Sequence, residues 1–397
     1  MIPLRLLSML PALTLSCLAQ SAELPFIDLS GEKNRQVLVD QEKGQYLGHV
    51  TTCLLDDQKT ILAVYPKGHG RGPVVYKRSS DGGKTWSERL PTPGNWASSK
   101  EVPTLHRMNG PDGKKRIIMF SGLYPVRRAV SEDEGKTWGP LEKVGDWGGI
   151  VVMGCHTELR SEAKPVPGHY MCLFHDDGRF IRQGAKAKGP RVMTLYQTTT
   201  VDGGLTWSDP KTIFASSDIH LCEPGIIRSP DGKQLAVLLR ENARRKYSHV
   251  IFSNDEGQSW TTPRELPKTL SGDRHTAKYA SDGRLLIVFR GYTSHKGSFD
   301  QKHPSAKWPT EGDCAAWVGT YDDIVNNRPG QYVVRLFDNQ KGYDTTYPGV
   351  EILPDDTFVV TTYGHWDKGE APYIMSTRLK LSELDAKASS APKVKVP

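Results

Sequence analysis

The chain of 397 residues lacks several features that mark common protein classes. Beyond its first two dozen residues it contains no apolar run long enough to cross a membrane, so no membrane span is expected. It also has no basic block, because the Lys and Arg residues behind its net charge of +7 are interleaved with acidic residues. This pattern argues against a nucleic-acid partner and permits an acidic ligand.

Cysteine is scarce, with six residues in the whole sequence. Cys17 lies in the apolar N-terminal stretch, and the other five are scattered without the spacing of a metal site. Their apolar surroundings favour buried free thiols, with one disulfide as the alternative. We expect neither a metal nor a cofactor.

The N-terminus has the composition of a secretory signal. Arg5 supplies the charge, residues 6–18 form an apolar stretch too short to span a bilayer, and small residues follow up to Ala22. We therefore expect a signal peptide over residues 1–22, a secreted or periplasmic location, and one mature domain over residues 23–397.

An eight-residue pattern, Ser/Thr-x-Asp-x-Gly-x-Thr/Ser-Trp, occurs four times and ends at Trp86, Trp138, Trp207 and Trp260. Its Asp can accept hydrogen bonds from the following backbone, its Gly can adopt a positive φ, and its Trp can cover the turn. The repetition predicts tight turns in a series of similar β units.

A second repeat consists of an apolar run, a turn that is usually Asp-Gly, and a further apolar run. Its six copies begin near residues 51, 104, 158, 225, 277 and 349. Asp-Gly between short β-rich runs is a strong hairpin signal. The two repeats together predict an all-β, six-bladed β-propeller in which the chain ends, 24–40 and 373–381, complete one blade. Two packed sandwiches are the alternative fold.

Antiparallel strands would place the Asp turns on one face of this ring and most of the chain's His, Arg and Tyr on the other. Six arginines on the second face could hold a carboxylate or sulfate, with surface ion pairs as the alternative role for about half of them. These arginines are Arg71, Arg127, Arg179, Arg240, Arg274 and Arg290.

The repeated turn resembles the Asp box of the sialidase superfamily. Glu223-Pro followed by Arg240 is similar to that family's glutamate and carboxylate-binding arginine, and Thr346-Tyr347-Pro is similar to the stretch with its tyrosine nucleophile. The resemblance implies that Tyr347 is the nucleophile and that Glu223 takes its proton. A phenol with a pKa near 10 needs such a base, and tyrosine spares an anionic sugar the approach of a carboxylate. The alternative is a half-buried Tyr347 that is merely hydrogen-bonded to Glu223.

The sequence departs from the family pattern at three places. Residues 46–49 and 310–324 lack the expected arginines, and the loop 67–72 lacks the expected acid. His49 and His69 occupy the first-blade positions and are candidate proton donors near neutral pH. His175 and Trp366 are further substrate-binding candidates, and His175-Asp-Asp is interpreted as a turn rather than a cation site.

These observations predict a monomeric, exported, sialidase-like exo-glycosidase that acts on a glycan with a terminal acidic sugar. Two alternatives remain open: β-elimination of a uronate by a His/Tyr pair, and a non-catalytic glycan-binding propeller.

Overall fold

A computed structural model describes residues 23–186, 191–293 and 308–396. The predicted signal, residues 1–22, lies outside the described residues. The described chain forms six β-sheets arranged as the blades of a ring, which confirms the predicted six-bladed propeller over the sandwich alternative. None of its helices has the length and apolar character needed to cross a membrane.

The first two strands in the chain, β1 (Glu23–Asp28) and β2 (Gln36–Asp40), belong to the last two blades. The strands of blade one are β3 (Thr51–Leu54), β4 (Ile61–Pro66) and β5 (Val74–Ser79). Those of blade two are β6 (Pro103–Asn109), β7 (Lys115–Ser121), β8 (Arg127–Ser131) and β9 (Glu142–Lys143). Those of blade three are β10 (Ile150–Ser161), β11 (Lys164–Asp176), β12 (Met193–Thr200) and β13 (Lys211–Ser216).

The second half of the ring repeats this arrangement. The strands of blade four are β14 (Leu221–Arg228), β15 (Leu235–Glu241), β16 (His249–Ser253) and β17 (Arg264–Glu265). Blade five has β18 (Gly272–Tyr279), β19 (Leu285–Gly291), β20 (Cys314–Gly319) and β21 (Tyr332–Phe337), and it also takes in β1 and the last strand, β25 (Lys393–Lys395). Blade six has β22 (Gly349–Ile352), β23 (Phe358–Gly364) and β24 (Tyr373–Leu379), with β2 outermost. The described residues also form two short helices, α1 (Tyr321–Val325) and α2 (Leu381–Ala388).

The chain ends complete two blades instead of one. β2 pairs antiparallel with β24, as predicted, and so closes blade six with N-terminal chain. β1 instead pairs in parallel with β21 of blade five, where Leu24 and Val333 join a small apolar cluster with Trp308. The 3₁₀ turn Lys33–Arg35 separates the two strands. The prediction for residues 24–28 was therefore wrong, since burial of Leu24 draws this strand to the neighbouring sheet.

The four repeated turns share one hydrogen-bond pattern. In the first turn, Asp81 Oδ1 accepts from the Thr85 backbone N–H at 2.9 Å and Asp81 Oδ2 accepts from Thr85 Oγ1 at 2.6 Å. The Gly83 N–H donates to Ser79 Oγ at 2.8 Å. Asp133, Asp202 and Asp255 accept the equivalent bonds in the later copies. Local side-chain chemistry thus forms each turn, as the sequence pattern predicts.

Close packing at the ring axis depends on small residues. A Cβ atom added to Gly225 in β14 would lie 2.2 Å from the carbonyl oxygen of His275 in β18, so only glycine permits this approach of blades four and five. Below this contact, a channel of about 480 Å³ extends from Arg274 toward Gln58 at the turn face. Each interface between blades is filled by apolar clusters that include Trp96, Trp147 and Trp317.

All five described cysteines are free, and four of them are buried as expected, whereas Cys155 is half-buried. Burial raises the pKa of the Cys53 thiol, so the neutral form prevails at neutral pH. These thiols therefore act as small apolar side chains.

Candidate active site

The innermost strand of several blades has a residue in the left-handed region of backbone space near its start. Glu223 (φ 50°) and Arg274 (φ 58°) are the third residues of β14 and β18, and His49 (φ 56°) and Thr346 (φ 57°) lie two and three residues before β3 and β22. In blades four and five the strand pairing also slips next to this residue. Such conformations are costly for residues other than glycine and are concentrated at functional sites. The irregular strand starts bring side chains from separate blades together at one end of the axis.

Tyr347 and Glu223 meet at this end of the axis. Tyr347 Oη donates to Glu223 Oε1 at 2.5 Å, and Arg240 Nη1 donates to the same oxygen at 2.8 Å. Both Tyr347 (7% exposed) and Glu223 (4% exposed) are buried. The second carboxylate oxygen of Glu223 has no hydrogen-bond partner among the described residues. A phenol, a carboxylate and a guanidinium thus form one compact group.

Burial and charge set the protonation of this pair. Burial raises the pKa of Glu223, but the positive charge of Arg240 outweighs burial, so the net pKa is below its ordinary value. Burial and the adjacent negative charge of Glu223 hold the pKa of Tyr347 well above 10. At neutral pH the pair is therefore a neutral phenol bonded to an ionised carboxylate.

Three arginines converge on a second buried carboxylate, Asp273. Arg244 binds both oxygens of Asp273 at 2.6 and 2.5 Å, Arg290 Nε donates at 2.7 Å, and Arg240 Nε lies 3.2 Å away. Burial raises the pKa of Asp273, but these arginines reverse the shift and hold its pKa well below the ordinary value. Since Glu223 and Asp273 supply two negative charges to three guanidinium groups, the cluster keeps an excess of positive charge.

Arg274 and His175 border the central pair. Arg274 donates to the Gly154 carbonyl at 2.7 Å and holds its guanidinium carbon 5.7 Å from the centre of the Tyr347 ring. His175 Nδ1 accepts a hydrogen bond from the Glu223 backbone N–H at 3.4 Å. Burial lowers the pKa of His175 to about 4, so its ring is neutral at pH 7. His175 therefore contacts the Glu223 backbone at the edge of the central pair.

A polar cluster around Asp344 adjoins the central pair. Asp344 Oδ1 accepts from Tyr46 Oη at 2.8 Å and from Tyr363 Oη at 3.0 Å, and His69 Nδ1 lies 2.8 Å from Tyr46 Oη. Since the single hydroxyl proton of Tyr46 goes to Asp344, His69 Nδ1 must donate to Tyr46. The solvent-exposed ring of His69 is thereby oriented at the rim of the face.

His49 connects the two groups. Its ring centre lies 4.3 Å from that of Tyr347 and 4.8 Å from that of Tyr363. Burial, reinforced by the charge of His69, lowers the pKa of His49 to about 3, so His49 is neutral near pH 7 and cannot act there as an imidazolium acid. Its Nδ1 has no hydrogen-bond partner among the described residues. Of the two predicted proton donors, His69 is the exposed one.

The other predicted binding residues lie farther from the pair or have partners elsewhere. Arg71 is exposed on the loop between β4 and β5, and Arg179 is paired with Asp177 at 2.7 Å. Arg127 donates to Ser98 at 2.9 Å and 2.6 Å. Trp366 donates to the Tyr373 carbonyl, and its ring stacks on that of Phe337, so it packs into the protein rather than presenting a free face.

Four side chains of this face were not predicted from the sequence. Asp273, Arg244 and Asp344 organise the charged clusters, and Glu101 is a buried carboxyl just before β6. All four lie in the segments that strand alternation assigns to this face, so their position was predictable and their partners were not.

The His175-Asp-Asp sequence forms a turn, as interpreted from the sequence. Asp176 Oδ2 accepts from the Gly178 N–H at 2.7 Å, and Asp176 also accepts from the Phe180 N–H. Within the described ranges, no group of three His, Cys, Asp or Glu side chains is arranged to hold a metal ion.

Several solved structures have a similar architecture. A protein of unknown function from Dyadobacter fermentans superposes with a TM-score of 0.63 at 16% identity, over 87% of this chain and 98% of that one. A mutant of the sialidase NanB from Streptococcus pneumoniae superposes with a TM-score of 0.57 at 11% identity, over 88% of this chain and 71% of that one. The chain has the sialidase propeller fold.

A third structure, Trypanosoma rangeli sialidase in complex with sialic acid, gives a TM-score of 0.50 at 14% identity, over 93% of this chain and 60% of that one. No protein-family model and no curated protein matches the sequence. At these identities the likeness establishes the fold alone, so an activity has to be argued from the site.

Proposed function

We propose that this protein is an exo-acting glycoside hydrolase that removes a terminal acidic sugar, with Tyr347 as the nucleophile and Glu223 as its base. The observation that carries the proposal is the 2.5 Å hydrogen bond between Tyr347 Oη and Glu223 Oε1 in a buried, arginine-rich site. The sialidase propeller fold supports it, since two of the similar structures are sialidases.

The chemistry follows from the protonation of the pair. Because its pKa is well above 10, Tyr347 is not a phenolate in the resting enzyme. The phenol becomes much more acidic as its oxygen bonds to the anomeric carbon, and Glu223 then takes the proton in the same step. Arg240 keeps Glu223 ionised before the reaction, when the pair carries one negative charge.

The charge of the site selects the substrate. Arg240 and Arg290 are both ion-paired with Asp273, yet the cluster has more guanidinium groups than carboxylates. A sugar carboxylate would balance this excess, while a carboxylate nucleophile in place of Tyr347 would repel it. We assign Arg240, with Arg290 beside it, as the main group that binds the sugar carboxylate. We place the exposed residues Arg71 and Arg179 at the rim of the site.

Release of an aryl aglycone tests this proposal. Aryl glycosides of sialic acid, of uronic acids and of neutral sugars are offered to the wild type and to Tyr347→Phe. We expect turnover of one acidic class and its loss in Y347F. Tyr46→Phe, which alters a neighbouring tyrosine bonded to Asp344, is the matched control. Turnover that persists in Y347F, or a preference for neutral sugars, would contradict the proposal.

β-Elimination of a uronate is a second candidate, favoured by the position of His49. Its neutral ring lies 4.3 Å from Tyr347 with an unpartnered Nδ1, so it could accept the proton next to the sugar carboxylate while Tyr347 protonates the leaving oxygen. An unsaturated product that absorbs in the near ultraviolet would identify this reaction. If no product forms and Y347F retains glycan affinity, the protein is a binding propeller.

A further inference from the structure

Glu101 is a buried carboxyl on the same face as Tyr347. It is 9% exposed, and its Oε1 accepts a hydrogen bond from the Val102 backbone N–H at 3.0 Å. No ion pair joins Glu101 to a Lys or Arg within the described part of the chain, unlike Glu223 with Arg240. Glu101 therefore lacks the direct cation that keeps Glu223 and Asp273 ionised.

Loops from two blades enclose the Glu101 side chain. A Cβ atom at Gly122 would lie 2.9 Å from Glu101 Cγ, and one at Gly70 would lie 3.7 Å from Glu101 Oε1. Gly70 belongs to the loop 67–72, from which the family resemblance leads one to expect an acid and in which none occurs. The carboxyl of Glu101 thus lies beside that loop, supplied by the next blade.

The charged groups around Glu101 have opposing effects. Arg71 of the blade-one loop favours the ionised form, and Glu223 of β14 favours the protonated form. Arg179, on the loop after β11, is also within electrostatic range. Lys100 directs its ammonium to the Tyr124 carbonyl at 3.2 Å. Burial dominates, and it raises the pKa of Glu101 to about 7. Near neutral pH this carboxyl can both hold and release a proton, as a general acid must.

We propose that Glu101 is the proton donor to the leaving group in this site. The inference rests on the proposed hydrolase function. In the first step the bond from Tyr347 Oη to the anomeric carbon forms, the bond to the aglycone oxygen breaks, Glu223 receives the phenol proton and Glu101 protonates the departing oxygen. In the second step water attacks the same carbon, Glu101 takes the proton of the water, and Tyr347 regains its own proton from Glu223.

The test varies the leaving group in the wild type and Glu101→Gln. An alkyl aglycone needs protonation to depart, whereas an acidic aryl aglycone departs as an anion. We expect E101Q to lose roughly 10²–10⁴-fold in kcat/KM on the alkyl glycoside and less than about tenfold on the aryl glycoside. Added azide should restore turnover of the aryl glycoside and yield a glycosyl azide, because an anionic nucleophile needs no base.

Two matched variants and one wild-type measurement complete the test. Glu351→Gln removes a buried glutamate that lines the channel below the site, and we expect no dependence on the leaving group. His69→Asn removes the other candidate donor, and we expect both glycosides to be affected equally. In the wild type, kcat/KM for the alkyl glycoside should fall as the pH rises, with a midpoint near 7. The fall should be smaller for the aryl glycoside. This profile does not depend on the folding of any variant.

Equal losses on both glycosides in folded E101Q, or no loss, would overturn the assignment while leaving the hydrolase function intact. If the loss in kcat/KM depended on the leaving group in H69N and not in E101Q, His69 would be the proton donor. A wild type that cleaves no glycoside would remove the hydrolase function and the Glu101 assignment together.

Discussion

Asp273 is the carboxylate that contacts all three arginines of the cluster. It is 1% exposed and contacts Arg240, Arg244 and Arg290, and Arg240 also binds Glu223. The sequence around it, Asp273-Arg-His, gives no sign of this role, because its three partners come from strands and loops of two blades. The family resemblance in the sequence indicated Tyr347, Glu223 and Arg240 as candidate site residues. The role of Asp273, the carboxylate that holds the arginines together, became apparent only from the three-dimensional structure.

We expect Asp273→Asn to destabilise the protein by about 3–5 kcal/mol, since it leaves buried guanidinium groups without their counter-charge. Urea unfolding at pH 7 measures this change. Asp282→Asn, at an exposed turn on the opposite face, is the control and should change stability by less than about 1 kcal/mol. Equal stabilities of D273N and the wild type would show that the cluster does not depend on this charge.

Glu101 gives a pH dependence of stability with a defined sign. Its pKa is raised from an ordinary value of 4.5 to about 7, so in this window the folded state holds a proton that the unfolded state has lost. The contribution of Glu101 is therefore complete below pH 4.5 and is lost as the pH rises through 7. Between pH 4 and pH 8 the wild type should lose on the order of 3 kcal/mol relative to E101Q. Urea unfolding of both proteins across this range measures the difference, and a constant difference would contradict the shift.

At the scale of single elements, the strands around the axis combine regular pairing with irregular starts. The hairpins follow from local chemistry, since Asp and Gly at fixed spacing form the turns wherever they occur. The bulged, left-handed starts at Glu223 and Arg274 were not predictable, because neither residue type favours this conformation. The tertiary packing of neighbouring blades imposes it.

The close approach of β14 and β18 makes Gly225 a test of this packing. We expect Gly225→Ala to cost about 1–3 kcal/mol or more, because the added carbon would lie 2.2 Å from the His275 carbonyl oxygen. Activity should fall as well, since Glu223 lies two residues away on the same bulged strand. Urea unfolding and aglycone release measure the two effects.

Gly94→Ala provides the matched control. A Cβ atom at Gly94 would have nothing within 4 Å, and this glycine is not in the left-handed region, so stability should change by less than about 0.5 kcal/mol. A G225A protein as stable and as active as G94A would contradict the tight contact at the axis.

At the scale of the whole molecule, the ring buries several histidines in a neutral state. Burial lowers the pKa of His49 to about 3 and those of His106, His175 and His275 to about 4. Between pH 4 and 6.5 the unfolded chain binds protons that the folded chain does not, so stability falls as the pH falls through this window. Glu101 and Asp176, whose pKa values burial raises, act in the opposite direction but are two groups against these four.

We therefore expect the free energy of unfolding to decrease by at least about 3 kcal/mol from pH 7 to pH 4.5. Urea unfolding at half-unit intervals measures the slope. His106→Gln keeps a donor for the Met153 carbonyl and should make the slope shallower. A stability that is flat, or that rises on acidification, would mean that these histidines are not held neutral.

The ring itself was predictable because the hairpin pattern is repeated in the sequence. Six similar hairpins indicate a propeller even where one copy is irregular. Which blade each chain end would join was not predictable, because β1 and β2 are both short apolar strands. Burial of Leu24 beside Val333 decides the question for β1. The ring also explains how Tyr347 and Glu223, 124 positions apart in the chain, come to share a hydrogen bond.

The most direct test of the central claim, that Tyr347 with Glu223 is a nucleophile, is a covalent trap read by intact-protein mass. A fluorinated glycosyl fluoride of the accepted acidic sugar is incubated with the wild type, Y347F and Y46F. We expect a mass gain of one sugar in the wild type and Y46F, located on Tyr347 by peptide mapping, and no gain in Y347F. A sugar attached to another residue, or an unlabelled wild type that still turns over the aryl glycoside, would contradict it.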